Sequence, residues 1–250
     1  MHPNLTNLNI DHSKQTQISE FVEYVISTFG NDCYSIFIFG SAAEGRLRPT
    51  SDVNLAVVLN QLSFDKADQI REQFRIKHAT IQLKLLLLKA EEISQFAHLF
   101  AVKFNDMNAR HVNLYGPDIF IDHQPSKAAT LNRLAQESLN LTLRLRERYL
   151  LTSLREEQLT PLVADITSAI RVIAANILKL EGQIFEHPKD AFQKLLSTLN
   201  WPDSDRIISN MSASREQKTL PPGEGTFTVI QLLNITEKIS HVIQAMSKEI

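Results

Sequence analysis

Two short apolar runs joined by a polar connection, in residues 35–59, constrain the fold of this chain more than any other stretch. The first run, residues 35–39, is rich in Ile and Phe, and the second, residues 53–59, is rich in Val and Leu. Runs of this length bounded by Gly and Pro signals are typical of buried strands. The sequence therefore predicts a strand, a tight corner at Gly40 and Ser41, and a second strand that begins directly after Asp52.

The connection between the two strands carries groups that suit a phosphate ligand. Glycine at the corner lets the backbone turn tightly and approach a ligand without a Cβ in the way. The N–H groups and the serine hydroxyl that follow can hold phosphate oxygens, and arginines can clamp them, although loop arginines are more often simply solvated. The predicted phosphate-binding residues are Gly40, Ser41, Arg46, Arg48 and Ser51.

Asp52 stands at the edge of the predicted sheet, where a metal ligand or a base would be needed. We predict it as the catalytic and metal-binding residue. The alternative is that its carboxylate only caps the turn before the second strand.

The rest of the first half alternates helices and strands. Apolar residues at helical spacing predict a helix over residues 17–29, and Ser63 can cap a second helix that ends near residue 76. Residues 80–88 alternate as a third strand, residues 91–104 look helical, and residues 110–114 form a short fourth strand. This order predicts a compact α/β domain with a mixed sheet over residues 1–122.

The second half, residues 123–250, reads as nearly all helix. Helices are predicted over residues 128–151, 160–181, 188–199 and 227–246. The second of these carries an apolar stripe at three- and four-residue steps and has Thr160 as its expected cap. Residues 201–225 contain Trp-Pro, serine-rich and Pro-Pro-Gly elements and are predicted to be mostly loop. We expect an all-α helical bundle that binds a substrate or a partner.

Composition excludes several classes of protein. The chain of 250 residues has 43% hydrophobic and 22% charged residues and a net charge of −2, which is ordinary for a soluble protein and argues against a nucleic-acid-binding role. Because no run approaches 18 apolar residues, we expect no membrane partner. The single cysteine, Cys33, fits a reduced cytoplasm, so a cytoplasmic location is expected.

The opening stretch resembles the nucleotidyltransferase superfamily, in its minimal and antibiotic-modifying branches. In that family a Gly-Ser pair is followed after about ten residues by acid–apolar–acid–apolar, with a third acid on a later strand. Here ten residues separate Gly40-Ser41 from Asp52-Val53-Asn54-Leu55. The resemblance implies a nucleoside triphosphate at the Gly-Ser corner and two Mg²⁺ held by three carboxylates, which promote in-line attack of an acceptor hydroxyl on the α-phosphate.

Two of the three expected acids are replaced in this sequence. Asn54 stands at the second acidic position, and the third falls at Gln82 or, with a shifted register, at Lys84. We therefore predict a degenerate metal site in an interdomain cleft, in which a nucleotide or small molecule still binds but two-metal transfer is weakened or lost.

Two alternatives remain open. One is an active Mg²⁺-dependent transferase that moves a nucleoside monophosphate to a small-molecule or protein hydroxyl, with Glu44 or Asp118 recruited as a second acid. The other is a non-enzymatic, antitoxin-like interaction protein that forms a homodimer or binds a protein partner through its helical bundle.

Overall fold

The structure is a computed structural model that describes residues 3–6, 8–47, 51–152 and 155–248. Its internal contacts divide the chain into two compact units, Met1–Pro125 and Ser126–Ile250. Short 3-10 turns lie at Gly30–Asp32 and Ala90–Glu92. The first unit contains α1 (Pro3–Thr6), α2 (His12–Phe29), β1 (Cys33–Phe39), β2 (Val53–Leu59), α3 (Phe64–Ile81), β3 (Leu83–Lys89), α4 (Ile93–Leu99), α5 (Ala101–Ala109) and β4 (His111–Tyr115).

The four strands form one mixed sheet in the order β3-β2-β1-β4. β1 pairs antiparallel with both β2 and β4, whereas β2 pairs in parallel with β3. The parallel pair requires a crossover connection, and α3 supplies it. The predicted mixed sheet is therefore confirmed.

Both faces of this sheet are buried, and the alternation of side chains along the strands assigns each residue to one face. One face contributes Ile36, Ile38, Leu55, Val57 and Leu83 to a core closed by α2 and α3. The other face packs against α4, α5 and Phe120, and it presents Phe37, Ala56, Val58, Leu86 and Leu88. Two buried faces explain why the strands read as nearly continuous apolar runs.

The third strand begins later than predicted. Thr80 and Ile81, expected in the strand, belong to α3, which continues five residues past the expected end near residue 76. Gln82 then ends the helix in a left-handed conformation with φ 54° and ψ 41°. Glutamine is not a usual residue for this conformation, so no helix stop signal is visible at position 82.

Two smaller differences concern other helices. The helix predicted over residues 91–104 is two helices, α4 and α5, which meet at the non-helical Phe100. Thr160, predicted as a helix cap, lies inside its helix because a 3-10 turn, Glu156–Gln158, precedes it.

The second unit is helical, as predicted. Apart from residues 153–154 and 249–250, which lie outside the described part, it contains five helices around a buried apolar seam. They are α6 (Lys127–Leu151), α7 (Leu159–Leu180), α8 (Pro188–Thr198), α9 (Ser204–Glu216) and α10 (Glu224–Ser247).

The expectation of a mostly irregular segment over residues 201–225 is wrong, because α9 occupies its centre. Ile207, Ile208 and Met211 are buried at helical spacing. The Asn210 amide donates to the Thr228 hydroxyl over 2.9 Å and thereby joins α9 to α10. Tertiary packing outweighs the weak helix propensity of the serines in this helix.

One helical stretch, Glu156–Leu180, is long and apolar enough to cross a membrane by length and composition alone. However, 67% of its apolar window is buried inside the protein. It is the central helix of the bundle.

A close backbone approach fixes the turn after β4. Gly116 has a φ of +71°, and a Cβ added there would lie 2.0 Å from the Tyr34 carbonyl oxygen. The neighbouring Pro117 carbonyl accepts a hydrogen bond from the Ser35 hydroxyl over 2.8 Å. Only glycine fits between this turn and β1.

Gly116→Ala should therefore lower the free energy of unfolding by more than about 2 kcal/mol, because the methyl group meets rigid backbone as well as an unfavourable φ. Gly30→Ala is the matched control, since Gly30 also has positive φ but has no atom within 4 Å of an added Cβ. Urea unfolding of both variants checks this. If both variants lose the same free energy of unfolding, the close approach at Gly116 does not contribute to stability.

Glu156 caps the start of α10. Its carboxylate accepts hydrogen bonds from the Gly223 N–H over 2.5 Å and the Thr226 N–H over 3.2 Å. These backbone hydrogen bonds hold the pKa of Glu156 below its ordinary value. Since the folded-state pKa is the lower one, the stabilisation is complete above the unfolded value of about 4.3 and is lost as pH falls through the folded value.

Glu156→Gln should lower the melting temperature at neutral pH, and the difference from the wild type should shrink below about pH 4, where the wild-type carboxylate also becomes neutral. Thermal unfolding followed by circular dichroism at several pH values measures it. Glu157→Gln, one residue further on in the same 3-10 turn, is the control. A difference that stays constant down to pH 3 would contradict the role of the Glu156 charge.

Candidate functional site at the end of the sheet

Three strand termini meet at one end of the sheet. Gly40 follows the end of β1, Asn54 lies near the start of β2, and Lys84 lies near the start of β3. In the ladder Phe39 is paired with Asn54, and Asn54 with Lys84. Side chains of paired residues project from the same face, so Asn54 and Lys84 are neighbours on the face covered by α4 and α5.

Asp52, which directly precedes β2, forms an ion pair with Lys84. The Lys84 Nζ lies 2.5 Å from the Asp52 Oδ2, and the two side chains are 56% and 39% exposed. Such an exposed pair contributes at most about 1 kcal/mol to stability. Its consequence is chemical: the aspartate already has a cation beside its carboxylate.

The two residues considered for the third acidic position differ in their surroundings. Lys84 lies directly beside Asn54 and forms the ion pair with Asp52. Gln82 lies two residues before Lys84, at the left-handed cap of α3, and its side chain is exposed. Its backbone carbonyl accepts a hydrogen bond from the Val53 N–H over 3.2 Å, so Gln82 anchors the start of the parallel pairing.

The Gly-Ser corner forms one tight turn. Gly40 has a φ of +76°, and its carbonyl accepts from the Glu44 N–H over 3.2 Å, while the Ser41 carbonyl accepts from the Arg46 N–H over 2.9 Å. A Cβ on Gly40 would lie 3.6 Å from the Asn54 Nδ2. The corner is therefore next to the Asn54 amide, and Ser41 lies at the beginning of the turn.

A buried charge cluster, which the sequence reasoning missed, holds this corner in place. Arg110 donates through Nε and Nη2 to both carboxylate oxygens of Asp106 and through Nη1 to Glu44 over 3.2 Å. The three side chains are only 14–19% exposed. The Arg110 carbonyl also accepts from the Gly40 N–H over 2.8 Å. Arg110 thus holds both ends of the turn between Gly40 and Glu44.

The charges in this cluster affect its members in different ways. Burial lowers the pKa of Arg110, but the carboxylates of Asp106 and Glu44 raise it by more, so the guanidinium stays charged. Burial raises the pKa of Asp106, and Arg110 offsets this only in part. The only sequence signal for the cluster was the four-residue spacing of Asp106 and Arg110 on a helix.

The two acids considered as replacements are engaged elsewhere. Glu44 accepts from Arg110. Asp118 lies 3.1 Å from the His111 Nε2 and accepts from the Phe120 N–H over 2.9 Å. Neither arrangement includes Asp52.

Three further residues, Ser51, Arg46 and Arg48, were predicted to bind the ligand. Ser51 is half-buried next to Asp52 in the chain, and Arg46 is exposed at the end of the turn. Arg48 lies outside the described residues. The arrangement at this end of the sheet therefore combines one carboxylate with an ammonium, an amide and a tight turn.

Comparison with known proteins supports the family resemblance. Residues 18–113 match the family model of the nucleotidyltransferase domain. Among solved structures, the chain is similar to the spectinomycin adenyltransferase from Enterococcus faecialis, determined with ATP and spectinomycin, with 15% identity and a TM-score of 0.58 over 89% of this chain and 98% of that chain. At that identity the similarity concerns the fold alone. None of the curated proteins matches this sequence.

The matched residues include β1, β2, β3, the Gly-Ser corner and Asp52. They confirm the resemblance inferred from Gly40, Ser41 and Asp52. Residues 18–113, which lie within the first unit, match the nucleotidyltransferase domain.

Proposed function

We propose that this protein binds a nucleotide, or a phosphate-bearing small molecule like one, at the end of the sheet formed by Gly40, Asp52, Asn54 and Lys84. We further propose that two-metal nucleotidyl transfer at this site is severely weakened or absent. The observation that carries the proposal is the ion pair between Lys84 and Asp52.

The charge of the site argues against two magnesium ions. Mg²⁺ gives up its water reluctantly and is retained by carboxylates and substrate phosphates. Here Asp52 supplies one negative charge, Asn54 none, and Lys84 a positive charge, so their formal charges cancel. At 4 Å and an effective dielectric constant near 20, each pair of unit charges interacts by about 4 kcal/mol. Replacing a carboxylate by an ammonium changes the sign of that interaction, so these residues do not fit the two-metal arrangement.

Phosphate binding is supported by the Gly-Ser corner and by the side chains of Asn54 and Lys84. The corner at Gly40 and Ser41 has the tight backbone turn that suits a phosphate group, and Asn54 and Lys84 both offer N–H donors beside it. The structural neighbour was determined with ATP and with the antibiotic spectinomycin. We therefore propose a nucleoside triphosphate as the ligand class, with a small molecule as the second candidate ligand.

An active Mg²⁺-dependent transferase has less support. It would need a second acid beside Asp52, and the two acids proposed for that role already accept other hydrogen bonds. The third possibility, an interaction protein that pairs through its bundle, stays a prediction.

Restoring the acids tests the proposal. The double variant Asn54→Asp, Lys84→Asp should bind Mn²⁺, a spectroscopic substitute for Mg²⁺, at least about a hundredfold more tightly than the wild type, because two carboxylates join Asp52 and the ammonium is removed. Titration followed by electron paramagnetic resonance measures free Mn²⁺.

A control with the same change of charge is available in the second unit. Lys127→Asp, Asn132→Asp replaces one exposed lysine and one exposed asparagine of α6. It should not reproduce the gain. If both double variants bind Mn²⁺ equally, the assignment of Asn54 and Lys84 to the site is wrong. Robust Mg²⁺-dependent release of pyrophosphate from ATP by the wild type, abolished by Asp52→Ala, would overturn the proposed loss of transfer.

A further inference from the structure

We infer that Lys84 takes the place of the metal as the positive charge of this site, so that the protein binds the phosphate groups of its ligand free of Mg²⁺ and binds the Mg²⁺ complex more weakly. This inference rests on the proposed nucleotide-binding function and specifies the ionic form of the ligand. The ligand class is a nucleoside polyphosphate, or another polyphosphate, as the free anion.

The position of the Lys84 ammonium supports this role. It projects from the start of β3, directly beside Asn54, and Asp52 holds it by one ion pair. An ammonium has three N–H donors. Among the described residues Asp52 is the one acceptor within 4.0 Å that forms an ion pair with it, and the side chain is 56% exposed. N–H donors thus remain for an anion that approaches from solvent.

Asp52 has a different role in this arrangement from that of a metal ligand. Its carboxylate lies 2.5 Å from the Lys84 Nζ, which restricts the flexible lysine side chain to the end of the sheet. Restricting a long side chain before the ligand arrives reduces the entropy lost on binding. Asp52 is therefore a positioning residue for the ammonium.

The neighbouring groups add further donors. Asn54 is paired with Lys84, and its Nδ2 lies 3.6 Å from a Cβ added at Gly40, so the amide lies beside both the ammonium and the corner. Ser41 follows Gly40 in the chain and carries a hydroxyl. Ammonium, amide and hydroxyl groups all donate hydrogen bonds to phosphate oxygens.

The same donors disfavour a ligand that carries its own metal. Mg²⁺ bound to the phosphates would occupy oxygens that could otherwise accept from Lys84 and Asn54, and it would bring two positive charges towards the ammonium. Metal-free ATP keeps these oxygens available and carries more negative charge. Excess Mg²⁺ should therefore weaken binding, opposite to the behaviour of a two-metal site.

Isothermal titration calorimetry of the full chain tests the inference. ATP and inorganic tripolyphosphate are each titrated once in EDTA and once in excess Mg²⁺. For the wild type we expect binding about tenfold tighter in EDTA, the size of one charged hydrogen bond. Lys84→Gln should lose about tenfold in EDTA and bind equally with and without Mg²⁺. Lys84→Arg, which keeps the charge, should retain the preference for metal-free ligand.

Lys89→Gln is the matched control, because Lys89 lies at the other end of β3 and is ion-paired with Glu91. It should bind both ligands as the wild type does. Since the ion pair of Lys84 is exposed, Lys84→Gln should fold normally, and circular dichroism of both variants verifies this.

The possible outcomes separate the two proposals. If the wild type binds ATP but Lys84→Gln binds it equally well, or if Mg²⁺ strengthens binding, the role of Lys84 is overturned while nucleotide binding stands. If neither ATP nor tripolyphosphate binds under either condition, the proposed function fails and the inference fails with it. Binding of both probes in EDTA with the same dependence on Lys84 supports the inference.

Discussion

The parallel pairing of β2 with β3 is the constraint on which the candidate site depends. It is continuous from Val53 with Leu83 to Leu59 with Lys89. A slip by one residue would exchange every side chain between the two faces of the sheet. Because Leu83 belongs to the buried core closed by α2 and α3, such a slip would place the charged Lys84 in that core in its stead. The packing of the strand therefore fixes Lys84 beside Asn54.

The second constraint acts on the backbone of the Gly-Ser corner. Arg110 joins Glu44 to Asp106 in a mostly buried cluster, and its carbonyl accepts the Gly40 N–H. Removing one partner of a buried charge group leaves the others uncompensated, at a cost of about 3 kcal/mol or more. The corner is thus held by α5 and β4 as well as by its own turn. This rigidity keeps the donors near Ser41 in a defined position relative to Asn54.

Sequence reasoning found the parts of the fold and site that depend on local pattern. The apolar runs of β1 and β2, the Gly40 corner and Asp52 could be predicted because strand composition, a glycine turn and a spaced acid are all visible within 25 residues. Which of Gln82 and Lys84 lies beside Asn54 could not be predicted, because residues two apart in a strand lie on the same face of the sheet. It depended on where α3 ends, and Gln82 ends it without a glycine.

Features that depend on contacts distant in sequence were missed for a related reason. Arg110 meets Glu44 across 66 residues, and no local pattern reports such a pair. The sequence around α9 predicts a loop, because its serines and the flanking prolines are typical of irregular structure. Its burial of Ile207 and Met211 against the bundle supplies the free energy that the local sequence lacks.

The polar residues at the end of the sheet are not explained by folding. The face that carries Asn54 and Lys84 is otherwise occupied by Phe37, Ala56 and Val58, which are buried. The exposed ion pair of Lys84 with Asp52 adds little stability. Polar groups are expected there if this end of the sheet meets a ligand, and the ammonium of Lys84 and the amide of Asn54 supply N–H donors for an anionic one.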